Sequence, residues 1–313
     1  MNSETAGIET AACDEKLYKK FFDMVGPAEE GKRISQNKAA QAMGCSPAVI
    51  SLYKNRAYAG SVKTLEEKIA AWLAREERRL TRIEIPTAET AAISQVRDAI
   101  AATQDGADMA VIIGAAGCGK TTAIRQYAKE SHSALLIDVD PSFSQVVLMN
   151  EIARSLGLED KGGMNAVIDR VTGALRGRDA VLIIDEADYL SEKSLELVRR
   201  VINDKAETGV VLVGLPTLEY KIRNLSKNHG QIISRVGFMV RVGKLTRADA
   251  GKIIAGVWEG LPKETADAFA AGAGGSARAL AKLMGRAYQL AERNRLEQPD
   301  ADIVAAAGEY LMR

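Results

Sequence analysis

Aromatic residues and cysteines are scarce in this chain. Phe, Trp and Tyr make up 5% of its 313 residues, while Ala and Gly are plentiful. The cores are therefore expected to be aliphatic and helix-rich. The three cysteines, Cys13, Cys45 and Cys118, are odd in number and far apart. That argues against a disulfide framework and against a cysteine-based zinc site. The two histidines, His132 and His229, have no ligand spacing around them and are assigned no role. Long apolar runs are missing as well. Stretches such as Val181–Ile184 are far too short to cross a bilayer, and the first residues hold no signal-peptide-like segment. The expectation is a soluble, cytoplasmic chain with no membrane partner, long enough for two or three domains.

Acidic residues are missing from two segments. Lys32 to Lys63 and Lys221 to Arg247 each carry several Lys and Arg and no Asp or Glu, in a chain whose formal net charge is only +1. Such segments suit an anionic partner, or are solvated surface without further meaning. Within the first, Ala39–Met43 reads as a short apolar helix ended by Gly44. Ser46 can cap a second helix, with Pro47 in its first turn, where the missing N–H costs nothing. Val49, Ile50 and Tyr53 then recur at helical spacing. This resembles the helix-turn-helix of repressor-type DNA-binding domains, which would turn Ser46, Ala48, Ser51, Lys54 and Asn55 toward a major groove. A plain helical hairpin is the alternative. Thr64–Arg79 reads as a further amphipathic helix, and Pro86 breaks the pattern, because it disfavours helix at Ile85.

Short Val- and Ile-rich runs then alternate with helical stretches. Ala110–Ile113, Ala134–Val139, Val181–Asp185, Val210–Gly214 and Phe238–Val242 read as strands. Thr90–Thr103, Thr121–Glu130, Ser144–Leu156, Met164–Leu175 and Glu192–Asn203 read as helices. That order implies an α/β fold with a parallel sheet covered on both faces. After Gly243 the chain turns helical to its end, broken once at Gly272–Gly275. The expected organisation is an N-terminal all-α domain (1–80), a linker (81–88), a P-loop domain (89–243) and a small C-terminal helical domain (244–313).

The chemistry lies in Gly114-Ala115-Ala116-Gly117-Cys118-Gly119-Lys120-Thr121, a full G-x-x-x-x-G-K-[ST] pattern between a predicted strand and a predicted helix. Glycines let backbone N–H groups curl around a phosphate, and the helix N-terminus adds partial positive charge. Lys120 would reach the β- and γ-phosphates of ATP, Thr121 would ligate Mg²⁺, and Thr122 follows in the helix. Cys118 is read as filler. Val181–Glu186 is the matching half: an apolar strand ending in two acids at the sheet edge where open α/β folds bind ligands. Asp185 would hold Mg²⁺ through water, and Glu186 would polarise the attacking water. Asp185-Glu186-Ala187-Asp188 spells a helicase signature. No other helicase motif accompanies it, so the match is treated as coincidence.

Val210–Gly214 is the strand that in such ATPases is followed by a polar γ-phosphate sensor. Here Leu215 and Pro216 follow, and Thr217 is the first polar residue, so the sensor assignment stays open. Ser234-Arg235 falls where ring and filament ATPases carry an arginine that reaches a neighbour's site, with Arg223 as the alternative. Gly275-Ser276-Ala277-Arg278 matches their second sensor arginine. The order fits the AAA+ class. Lys221, Arg223 and Lys227 are candidate phosphate contacts to DNA, and Arg278, Lys282 and Arg286 lie four apart on one helical face.

With "GAAGCGKT", "DPSFS", "VLIIDEADYL", "GVVLVGLP", "SRV" and "GSARAL" in that order, the chain resembles the phage Mu family of transposition ATPases over most of its length. The resemblance implies an ATP-dependent DNA-binding protein that polymerises on double-stranded target DNA and recruits a transposase. Hydrolysis would drive release, in the cytoplasm of a bacterial host if the chain is phage- or prophage-encoded. Two other readings stay open: a nucleotide-gated helix-turn-helix transcription regulator, and a secretion- or partition-type AAA+ ATPase with no DNA role.

Overall fold

The computed structural model describes residues 13–26, 34–80, 83–229 and 235–309, apart from the side chains of 77–80 and 225–229. The chain divides into two compact units, Met1–Arg82 and Ile83–Arg313. Lys32, Arg33 and Ser234 lie outside the described residues.

The first unit contains four helices among its described residues: α1 (Glu15–Met24), α2 (Gln36–Met43), α3 (Pro47–Lys54) and α4 (Val62–Leu80). Asp14 caps α1 by accepting from the Lys16 and Leu17 N–H groups at 3.0 and 3.1 Å. A side-chain cap of this kind contributes about 1 kcal/mol. Gly44 closes α2 in the left-handed region, at φ 64°, where a glycine carries no steric penalty. Ser46 occupies the cap position of α3 but makes no side-chain capping bond, so Pro47 and the extended backbone alone set that helix start. Phe21, Ala39, Ala40, Ile50, Tyr53 and Trp72 meet in one core. Phe21 and Trp72 pack edge to face, with ring centroids 5.4 Å apart.

The second unit is built on a five-stranded parallel sheet of order β2-β3-β4-β1-β5. The strands are β1 (Met109–Gly114), β2 (Ala134–Asp138), β3 (Val181–Asp185), β4 (Gly209–Gly214) and β5 (Val236–Val242). Every residue of β1, β3 and β4 is buried, as a sheet covered on both faces requires. Alternation decides which face each side chain joins. Ala110 and Ile112 pack with α5 (Ala91–Gly106) and α6 (Lys120–Glu130). Val111 and Ile113 face the opposite core, shared by α7 (Gln145–Ser155), α8 (Met164–Leu175), α9 (Glu192–Val198) and α10 (Pro216–His229). The helix expected over Glu192–Asn203 changes hand-hold at Arg199. From there to Lys205 the chain forms a π-helix, a form found most often as a single turn at functional places.

The C-terminal region departs further from expectation. It holds four helices among the described residues, α11 (Arg247–Ala255), α12 (Lys263–Ala273), α13 (Ala277–Arg293) and α14 (Ala301–Glu309). The helical stretch is therefore interrupted three times and not once. The additional breaks fall at Gly260–Pro262 and beyond Asn294, where Gly and Pro end helices. Trp258 stacks on Phe269 with ring centroids 5.4 Å apart. Ile83 and Ile85, within the expected linker 81–88, pack against this core. Asp249 ties it to the start of α5 by accepting from the Ala91 N–H at 3.2 Å, and is itself oriented by accepting from the Thr246 hydroxyl at 2.8 Å. Among the described residues no helix is long and apolar enough to cross a membrane.

Candidate nucleotide site

All five strands run parallel, so their carboxyl ends meet at one edge, and the loops leaving β1, β3 and β4 converge there. A cavity of about 390 Å³ opens at this edge, within the range of ligand sites. The loop after β1 forms its floor. Gly117 and Gly119 stand at φ 78° and 103°, values that only glycine adopts without strain. Gly119 is the residue before α6, so the first N–H groups of that helix point into the cavity. Ala116, Gly117, Gly119, Lys120, Thr121 and Thr122 line it. Gly114, Ala115 and Cys118 do not line it. The Lys120 ammonium donates to the Gly114 and Ala115 carbonyls at 2.8 and 3.1 Å and lies 3.8 Å from Cys118 Sγ. Cys118 is buried, and a Cβ on Gly114 would come within 2.8 Å of its sulfur. Cys118 is thus a packing residue, as its place in the motif suggested.

The second wall is the end of β3. Asp185 is 4% exposed. Its Oδ2 accepts from the Thr121 hydroxyl at 2.8 Å and its Oδ1 from the Glu186 N–H at 2.9 Å. Those bonds hold Glu186 at φ 55°, a left-handed conformation that is uncommon for a residue with a side chain and clusters at functional sites. Glu186 lines the cavity and is exposed to it. The third wall is α13, whose Arg278 lines the cavity beside Ala277 and Ala281. The Ala277 N–H donates to the Gly117 carbonyl at 2.8 Å, which fastens the C-terminal helices to the phosphate loop.

The structure places two further residues near the end of β4. Thr217 is exposed and is not among the lining residues, because α10 begins at Pro216 and turns it to solvent. Asp188, set aside as a coincidence of spelling, lines the cavity together with Tyr189. Its Oδ1 accepts from the Leu215 N–H at 3.0 Å. The signal that pointed to it was the missing polar residue after β4.

Comparison with known proteins bears on this geometry. The AAA domain family model matches residues 103–222. Over 236 residues the chain is 30% identical to the Mu-like prophage FluMu DNA transposition protein B of Haemophilus influenzae, covering 72% of this chain and 80% of that protein. The chain belongs to the DNA transposition protein B family. A relative from Escherichia phage Mu, the ATP-dependent target DNA activator B, is 27% identical over 238 residues, 74% of this chain and 75% of that protein. In fold the chain is similar to the Aeropyrum pernix ORC2 protein, with a TM-score of 0.55, 16% identity and coverage of 74% of this chain and 71% of that one. The likeness establishes an AAA+ fold.

This member of the B family places its basic residues unevenly. Lys221, a candidate phosphate contact, is engaged within the chain. Its ammonium donates to the Asp188 and Leu190 carbonyls at 2.6 and 2.7 Å, which leaves one N–H of three. Arg223 donates to Glu219 Oε1 at 2.9 Å. The hydrogen bonds from Arg223 and then Arg241 hold the Glu219 carboxyl below its ordinary range. The side chain of Lys227 lies outside the described residues. Arg235 stands at the amino end of β5, the edge opposite the cavity, exposed and paired with Asp204 at 3.1 Å. Asp204 in turn meets the buried Arg199 of the π-helix. In the first unit Ser46, Ala48, Ser51, Lys54 and Asn55 are all exposed, while Ile50 and Tyr53 face the core.

Proposed function

We propose that this chain is an ATP-hydrolysing, DNA-binding AAA+ protein that assembles on target DNA and presents it to a transposase, with hydrolysis driving release. The observation that carries the reading is the single cavity in which Lys120, Thr121, Asp185, Glu186 and Arg278 converge, in a chain whose relatives are named for DNA transposition and for ATP-dependent activation of target DNA.

Lys120 would leave its two carbonyls for the β- and γ-phosphates. The Thr121 hydroxyl and Asp185 carboxylate, already 2.8 Å apart, are the hard oxygen pair that Mg²⁺ favours alongside water and phosphate. Bound there, the ion would neutralise phosphate charge. Glu186 would take a proton from water as its oxygen attacks the γ-phosphorus and the bond to the β-bridging oxygen breaks. Arg278 would meet the phosphates from the C-terminal side. Arg235 would act on the nucleotide of a neighbouring protomer, since it stands at the edge away from its own cavity. Residues 1–80 would supply a helix-turn-helix contact to DNA through Ser46, Ala48, Ser51, Lys54 and Asn55. The chain beyond the linker would divide into an ATPase layer (89–243) and a helical lid (244–313).

Phosphate contacts made along any duplex would be largely independent of sequence and would weaken steeply with salt. Electron microscopy of the protein with random-sequence duplex and a non-hydrolysable ATP analogue tests this. Continuous nucleotide-dependent assemblies are expected on every duplex. Occupancy of one defined site, without extended assemblies, would favour a nucleotide-gated transcription regulator and defeat the proposal.

A further inference from the structure

The end of β4 is the place where this ATPase lacks a polar side chain. Gly214 and Leu215 line the cavity there, Leu215 offers only carbon, and Thr217 faces solvent. The space is filled from another loop. Asp188, three residues after the end of β3, reaches across to the β4 terminus and accepts from the Leu215 N–H at 3.0 Å. The fit is close: a Cβ on Gly214 would stand 2.4 Å from Asp188 Oδ1, so the residue at 214 must be glycine for Asp188 to sit as it does.

Asp188 is also fixed from behind. The short 3₁₀ turn Ala187–Tyr189 that carries it has its carbonyls at Asp188 and, one residue on, Leu190 bonded to the Lys221 ammonium. One carboxylate oxygen is held by Leu215 and the main chain is held by Lys221. Among the described residues, that leaves Asp188 Oδ2 with no hydrogen-bond donor, on a half-buried residue that lines the same cavity as Glu186.

A carboxylate cannot donate to a γ-phosphate, so Asp188 cannot do what an Asn or Thr sensor does. It can accept. A water attacking phosphorus has two O–H bonds to place and needs one lone pair free. Two fixed acceptors satisfy both bonds and aim that lone pair. On the ATPase reading above, we propose that Asp188 Oδ2 is the second acceptor for the attacking water. Glu186 takes the proton, and Asp188 orients the water through its other O–H without changing protonation state.

Asp188→Asn separates this role from a scaffold role. Asn keeps an oxygen for the Leu215 N–H and replaces the free acceptor by an NH₂ donor of the same size. Hydrolysis is measured with wild type, D188N, E186Q and the double variant, alongside equilibrium binding of ATP to each. The expected result is a kcat for D188N lowered by about 10², with KM and ATP binding no weaker than wild type. The double variant should be no slower than E186Q by more than about threefold, since both residues serve one water. D188N turning over at the wild-type rate would overturn the proposal. So would loss of ATP binding in D188N, which would make Asp188 scaffold. Independent, multiplying effects in the double variant would place the two residues on different steps and overturn it too. If wild type itself hydrolyses no ATP, the ATPase reading falls and this inference with it, whereas a fast D188N beside a slow E186Q removes only Asp188.

Discussion

The two edges of the sheet are built differently. At the carboxyl edge, loops from β1, β3 and β4 and the start of α13 bring cations, hydroxyls and carboxylates into one cavity, with Lys120, Thr121 and Asp185 held by bonds within the chain. At the amino edge, Arg235 is exposed, and its one ion pair among the described residues is with Asp204. An arginine placed that way does nothing for its own protomer's cavity. On the proposed function this is a division of labour, in which one edge would hold nucleotide and the other would offer a cation to the next copy. Isolated protomers and assemblies should then respond differently to changes at the two edges.

Lys120→Ala should have the largest effect, because it strikes the edge on which everything else depends. Binding of a fluorescent ATP analogue should weaken by about 100-fold or more, and assembly should go with it. Wild-type affinity would remove Lys120 from the phosphate site. Glu186→Gln should come next and sharpen the contrast. Binding and assembly on DNA should persist while turnover falls by about 10² to 10⁴, leaving long-lived DNA complexes in a dissociation assay. Normal turnover there would take the water-activating role away from Glu186. Arg235→Ala should have the smallest effect on a single protomer. ATP binding under dilute, unassembled conditions should match wild type, while hydrolysis in the assembly drops by about 10². An unchanged rate would break the comparison at its amino edge and turn attention to Arg223.

Much of this was legible in the sequence because it depends on short-range pattern. The phosphate loop, the acidic end of β3 and all five strands were placed to within about two residues, since buried parallel strands read as continuous apolar runs. What escaped depends on partners far along the chain. The Lys221 ammonium caps carbonyls more than thirty residues earlier, and nothing in a run of basic residues distinguishes such a lysine from one waiting for a phosphate. Asp188 belongs to a four-residue match set aside because no other helicase motif accompanies it, and its partner, the Leu215 N–H just past β4, is 27 residues away. The sensor stays open in the sequence because spacing along the chain does not show that α10 starts at Pro216 and leaves Thr217 exposed. The π-helix at Arg199–Lys205 left no mark, because the pair that fits its wider turn, Arg199 with Asp204 five residues on, is not a pairing that helical spacing in the sequence leads one to expect.

The bond from the Ala277 N–H to the Gly117 carbonyl has a mechanical meaning. It joins the phosphate loop to the near end of α13, a rod of 17 residues, or about 25 Å. A rod pivoted at one end magnifies whatever happens at the pivot. A tilt of about 10° there would sweep the far end of α13 through about 4 Å, the thickness of an atom layer. Leu280, Leu283, Met284 and Ala287 of α13 pack with Phe269 and Val304 in one core, so α12 and α14 would travel with it. On that lever, a change the size of one phosphate at Gly117 would be geared up to the scale on which one protein surface stops fitting another.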